Sequence, residues 1–122
     1  MSIEFYRTLH LFGIFTVILS LGGMCLHVAS GGTREYAGRK LAALTHGIGL
    51  LVVLVAGFGL LAKEGLMQQG MPGWVIAKLV IWLILGGLPA LIYRQAKLAK
   101  LFWVLILVFA TCAAFLAIFR PF

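Results

Sequence analysis

Residues 9–27 read LHLFGIFTVILSLGGMCLH, and this stretch decides the fold. Between His10 and His27, the only other polar side chains are Thr16 and Ser20. About 20 apolar residues, each rising about 1.5 Å along a helix, cross the roughly 30 Å hydrocarbon core of a bilayer. The stretch therefore predicts a membrane-spanning helix with an ionisable ring toward each end.

The rest of the chain repeats this pattern. Of its 122 residues, 63% are hydrophobic and 11% are charged, whereas a soluble domain carries about 25% charged residues. Apolar runs long enough to span a membrane occupy residues 5–29, 41–62, 73–93 and 100–119. Short loops make successive helices antiparallel neighbours. We therefore expect one all-α integral membrane domain over residues 1–122, an antiparallel bundle of four transmembrane helices. The first run is longer than a signal-peptide core, so we expect it to stay in the mature protein.

The net charge of +7 is unevenly distributed. The loops around 30–40 and 93–100 carry six basic residues, and the opposite side carries three: Arg34, Arg39, Lys40, Arg94, Lys97 and Lys100 against Arg7, Lys63 and Arg120. Because basic residues concentrate in cytoplasmic loops, we expect loops 1 and 3 in the cytoplasm and both termini outside. This describes a multi-pass protein of a bacterial-type inner (cytoplasmic) membrane in contact with anionic lipid. The short loops carry no recognition element, which argues against nucleic-acid binding.

Four ionisable residues fall inside the predicted spans: His10, His27, His46 and Lys78. Such groups are costly in a membrane and often functional. Counting from the helix ends puts His27 and His46 in one layer near the cytoplasm. His10 and Lys78 form a second, outer layer. The 17 residues that separate His10 from His27 correspond to about 25 Å along a helix, so the sequence predicts two separate polar layers.

The inner layer predicts a haem site. Two imidazoles on facing helices can bind a haem iron from both sides, and basic side chains can pair with its propionates. We expect haem b, or alternatively copper or no cofactor, at His27 and His46, with Met24 as a spare ligand. The expected propionate partners are Arg39, Lys40 and Arg94. Axial ligands lie on opposite sides of the ring, which favours ligands from diagonal helices or from the two subunits of a homodimer.

The outer layer predicts proton or substrate chemistry at His10 and Lys78. Trp74 and Trp82 flank Lys78 at i−4 and i+4, which predicts cation–π contacts on one helix side. Each of the four groups also has a structural interpretation: a histidine can bond a backbone carbonyl, and a lysine can extend to the interface. The chain has no Asp, which excludes a catalytic Ser-His-Asp triad, and its only three Glu argue against a dedicated hard-cation site.

Three segments carry a resemblance to known membrane families: FYRTLH at 5–10, GRKL at 38–41 and PGWVIAKL at 72–79. Through these segments the chain resembles the SirB-like family, and the resemblance covers nearly its whole length. They are also similar to HemJ-type protoporphyrinogen oxidases and, more distantly, to CopD-like copper-resistance domains. The resemblance implies a four-helix membrane fold. In the HemJ type it also implies a haem-associated porphyrinogen oxidation in which His10 and Lys78 are important.

Two hypotheses of different class follow. The first is a small haem-b-binding or haem-associated redox protein with a membrane redox partner or a porphyrin- or quinone-like ligand. The second is a non-enzymatic helical membrane module that binds a partner, assists transport or binds copper. The residues alone leave both hypotheses open.

Overall fold

The computed structural model describes residues 2–122, and it is all-helical with no β-strand in that range. The four long helices are α1 (Ile3–Ala29), α2 (Arg39–Lys63), α3 (Gly73–Arg94) and α4 (Ala99–Phe119), and a short 3-10 turn (Ala96–Leu98) precedes α4. Each of the four is long and apolar enough to cross a membrane. The helix ends lie within two residues of the predicted spans. The prediction of four apolar helices is confirmed.

Local chemistry sets the ends of α1. The Ser2 hydroxyl caps the N-terminus by accepting the Phe5 N–H at 3.1 Å, which satisfies one of the backbone donors left free in a first helical turn. After Ala29 the chain turns at Gly31, whose φ of +91° lies in the left-handed region that favours glycine. This turn lies at the start of loop 1, which comprises residues 30–38 between α1 and α2.

α1 is the central helix, and it packs most extensively against α2. A Cβ added at Gly13 would lie 2.8 Å from Val53 Cγ2 and 2.9 Å from the Val53 nitrogen. A Cβ at Gly49 of α2 would lie 2.9 Å from Val17 Cγ2. These two glycines therefore let the α1 and α2 backbones approach closely, as small residues do between membrane helices.

Two apolar clusters fill the bundle. The larger joins α1, α3 and α4 toward loop 1, and it consists of Val17, Leu21, Met24, Cys25, Val28, Leu88, Ile92, Ala99, Phe102 and Ile106. The smaller lies at the other end and consists of Leu61, Trp74 and Val75. α2 contributes no fully buried residue to the larger cluster, so its face toward α3 is free to line a cleft.

The end opposite loop 1 is held together by Glu64, the residue that follows α2. Its two carboxylate oxygens accept from Arg7 at 3.4 Å and from Arg120 at 3.2 Å. The Arg120 guanidinium also lies 4.7 Å from the centroid of the Trp74 ring, a cation–π distance. Since these residues come from both ends of the chain and from the α2–α3 connection, one contact group ties all four helices together.

Candidate functional site

His46 is buried between α2 and α3, and its Nε2 donates to the Leu85 carbonyl at 3.0 Å. In a regular helix the Leu85 carbonyl would accept the N–H of the residue four positions later. That residue is Pro89, which has no N–H. His46 therefore supplies the donor that the proline removes, and it does so across the helix pair.

A second bond joins α2 to α3 in the opposite direction. The Trp82 indole N–H of α3 donates to the Leu50 carbonyl of α2 at 3.0 Å. Each helix thus gives one side-chain donor to a backbone carbonyl of the other. Backbone contact between α2 and α3 is otherwise sparse, so these two bonds hold the pair together.

His27 is turned toward loop 1. Its Nε2 donates to the Thr33 carbonyl at 2.7 Å, and its ring stacks on Tyr36 with centroids 3.6 Å apart. The Tyr36 hydroxyl in turn bonds the Tyr93 hydroxyl of α3 at 2.5 Å. His27 therefore fixes loop 1 between α1 and α3.

His10 lies in the other half of the bundle, where its Nδ1 donates to the Val53 carbonyl of α2 at 3.0 Å. Its ring packs on Gly57, at which an added Cβ would lie 3.2 Å from the ring carbon Cε1. Lys78 lies on α3, toward the same end of the bundle. The two residues of the predicted outer layer therefore lie in the same half of the bundle.

The predicted cation–π contacts of Lys78 take a different form. Within residues 2–122, the cation over the Trp74 ring is Arg120. Trp82 uses its indole N–H for the Leu50 carbonyl. The i±4 spacing places Trp74 and Trp82 on the same side of α3 as Lys78. The cation that lies over the Trp74 ring is nevertheless the Arg120 guanidinium, from the far end of the chain. A guanidinium also stacks on an aromatic face more readily than an ammonium does.

A cleft of about 270 Å³ lies between α2 and α3 at the loop 1 end. Its walls come from three positions on each helix, its floor from α1 and its rim from loop 1; the lining residues are Met24, Arg34, Arg39, Ala43, His46, Pro89, Ala90 and Tyr93. The positions 39, 43 and 46 share one side of α2 at helical spacing. The predicted residues Met24, Arg39 and His46 therefore meet in one cavity.

The remaining predicted site residues lie outside this cleft. Lys40 and Arg94 are exposed at the same end of the bundle, and neither lines it. His27 does not line it either, because its ring lies against loop 1. His10 and Lys78 lie in the opposite half of the bundle.

In this arrangement His27 and His46 do not share a cavity in which both rings could hold one haem iron. Both rings use Nε2 to donate to a carbonyl, so Nδ1 is the ring nitrogen that keeps a lone pair for iron. One face of the His27 ring is also covered by Tyr36. The cleft is smaller than the about 300–1,000 Å³ of pockets that enclose drug-sized ligands. A copper site has no better support, because no group of three or more His, Cys, Asp or Glu converges within residues 2–122.

Comparisons with known proteins give no relative: no protein-family model, curated protein or solved structure matches this chain. The site must therefore be interpreted from its own residues. The cleft residues that the sequence did not assign to a site are Arg34, Ala43, Pro89, Ala90 and Tyr93. Of these, Pro89 carried a usable signal, since a proline inside a helix always frees the carbonyl four residues earlier.

Proposed function

We propose that the protein is a non-enzymatic membrane module that binds an amphiphilic ligand in the cleft between α2 and α3. The observation that supports this most directly is the cleft itself, with an apolar floor at Met24 and a basic rim at Arg34 and Arg39. Membrane ligands with an apolar body and a polar head match that division. The cleft is too small to enclose a large ligand, so it takes the head and the adjoining part of the body.

The histidines then have structural work that agrees with a binding module. His46 closes the α2–α3 pair below the cleft, and His27 holds loop 1 beside it. Interhelical hydrogen bonds from polar side chains are a common way to hold membrane helices together. Neither role requires a reaction.

Photocrosslinking tests this proposal. The protein is reconstituted in vesicles that contain phosphatidylcholine and phosphatidylglycerol with diazirine groups near the head of the acyl chains, and crosslinks are mapped by mass spectrometry. We expect crosslinks to concentrate on the cleft walls around Ala43 and Ala90. Ala43→Trp fills the cleft and should remove them, whereas Ala114→Trp, an exposed position on α4, should leave them unchanged. An even distribution over all four helices that Ala43→Trp does not alter would refute the proposal.

The haem hypothesis is tested by an absorption spectrum of protein expressed with ample haem. A binding module of this kind shows no Soret band. A Soret band that shifts on reduction and disappears in His46→Ala would replace our proposal with the haem-binding one.

We also propose that loops 1 and 3 face the cytoplasm, so that the cleft opens in the inner leaflet. Six basic residues at this end against three at the other support that orientation. In a background without Cys25 and Cys112, single cysteines at Ser2 and Ala37 can be labelled with an impermeant maleimide in intact cells. We expect Ser2→Cys to react and Ala37→Cys to be protected until the cells are lysed; the reverse pattern would invert the topology.

A further inference from the structure

The rim of the cleft carries excess positive charge. Arg34 and Arg39 both line it, and within residues 2–122 the carboxylate paired there is Glu35, 3.5 Å from the Arg39 guanidinium. The Glu35 side chain is 82% exposed, and exposed ion pairs of this kind are weak and screened by salt. An incoming anion can therefore replace Glu35 at Arg39.

The chemistry of the two cations suits a phosphate. An arginine guanidinium offers two parallel N–H donors to a phosphate or carboxylate group, which a lysine cannot do. The two arginines come from different elements, loop 1 and the first turn of α2, so they can approach one head group from two directions. The exposed Lys40 and Arg94 are left outside the cleft.

A hydroxyl donor stands beside these cations. In the Tyr36–Tyr93 pair one hydroxyl donates and the other accepts. The accepting hydroxyl keeps its own proton. Tyr93 lines the cleft, so when Tyr36 is the donor, Tyr93 has an O–H to give to a ligand. The stacking of His27 on Tyr36 holds this pair, and with it loop 1, in place.

The inner part of the cleft is apolar and opens beside the lipid-facing surface. Met24, Ala43, Pro89 and Ala90 line it, and Ala43 and Ala90 are exposed on the outside of the bundle. The polar group at this depth, His46, already donates to the Leu85 carbonyl. The inner part thus presents carbon to a ligand, and chains can leave it into the bilayer.

We infer that the ligand of this cleft is an anionic phospholipid, with its phosphate between Arg34 and Arg39 and its acyl chains leaving between α2 and α3. This inference rests on the proposed function and names its ligand class. Tyr93 adds a neutral hydrogen bond to the head group. Zwitterionic lipids carry the same phosphate, but their own cation meets the arginines and lowers their affinity.

Native mass spectrometry of protein released from nanodiscs tests the inference. The nanodiscs contain equal amounts of phosphatidylglycerol and phosphatidylcholine, and the ratio of retained lipids is measured. We expect the wild type to retain phosphatidylglycerol in preference. The double variant Arg34→Gln/Arg39→Gln should lose roughly fivefold of that preference for each arginine. Arg34→Lys/Arg39→Lys should recover part of it, because charge is restored without the planar fork.

The matched control is Lys40→Gln/Arg94→Gln, which removes the same charge at the same end but outside the cleft and should keep the wild-type ratio. Equal loss in both double variants would show general surface attraction and overturn the inference. Soluble glycerol phosphate in excess should not displace the lipid; if it does, a free phosphate compound is the ligand. A different result would show that the proposed function itself is wrong: in that case Ala43→Trp leaves the total amount of retained lipid unchanged. If Ala43→Trp removes lipid while the wild type shows no preference, the cleft binds lipid but the anionic class is wrong.

Discussion

The hydrogen bond from His46 to the Leu85 carbonyl predicts a loss of stability on substitution of His46 that depends on Pro89. A role for His46 as a cofactor ligand would not predict that dependence. His46→Leu leaves that carbonyl without a donor, because Pro89 has no N–H. Interhelical hydrogen bonds in membrane proteins contribute about 0.6 kcal/mol on average and up to about 1.7 kcal/mol. The Leu85 carbonyl has no intrahelical alternative, so we expect a value of about 1–2 kcal/mol here.

The dependence on Pro89 is the informative part. Pro89→Ala restores an N–H that can reach Leu85 within α3. In that background, His46→Leu should cost less than half of its wild-type value, since the carbonyl is satisfied either way. The four variants of this cycle are compared by equilibrium unfolding in mixed micelles of a mild detergent and dodecyl sulfate, followed by circular dichroism.

A control cycle uses the other bond of the α2–α3 pair. Trp82→Phe removes the donor to the Leu50 carbonyl, whose own helical partner is intact. Its cost should be the same with Pro89 and with Ala at that position. If His46→Leu costs as much in the Pro89→Ala background as in the wild type, the assignment of His46 as the proline's substitute donor is wrong.

Three further predictions test other contacts. Gly13→Leu should lower the free energy of unfolding by about 1–3 kcal/mol through overpacking against α2. The control Gly23→Leu should change it by less, because Gly23 has open space around it. Equal effects of the two variants would contradict the close approach of α1 and α2 at Gly13. Glu64→Gln should lower the free energy of unfolding only slightly, by about 0.2–1 kcal/mol for each ion pair with an arginine, because both arginines are exposed. His27→Phe keeps a ring for stacking but loses the bond to loop 1, so trypsin should cleave faster after Arg34 in detergent; an unchanged rate would show that the loop holds without the bond.

The helices could be predicted from the sequence because the membrane imposes one strong rule. Every backbone polar group in the hydrocarbon core must be paired within the chain, so an apolar run of about 20 residues has one stable form. The same kind of local spacing puts Gly49 and Gly57 on one side of α2, the side that meets α1. The prediction extends this far because it depends on local spacing alone.

The site could be predicted only in part, because it depends on the rotation of each helix. Depth counting put His27 and His46 in one layer, but the direction of each ring is set by contacts far along the chain or outside the helices. Tyr36 and Tyr93 are 57 positions apart. The partner of His27 is a carbonyl in a loop, and a carbonyl leaves no mark in a sequence pattern.

The three histidines bear on how ionisable residues in membrane spans are interpreted. All three donate to backbone carbonyls of another helix or loop, which is a sufficient physical reason for their presence in an apolar chain. Lys78 is different: within residues 2–122 no carboxylate lies within 4.0 Å of its ammonium, and Glu64 pairs with two arginines instead. A histidine whose N–H already donates to a carbonyl requires no ligand to account for its place in a span. An ammonium group in a span without a carboxylate partner requires either water or an anion. The histidines therefore carry less functional information than their positions suggest, and the basic side chains carry more.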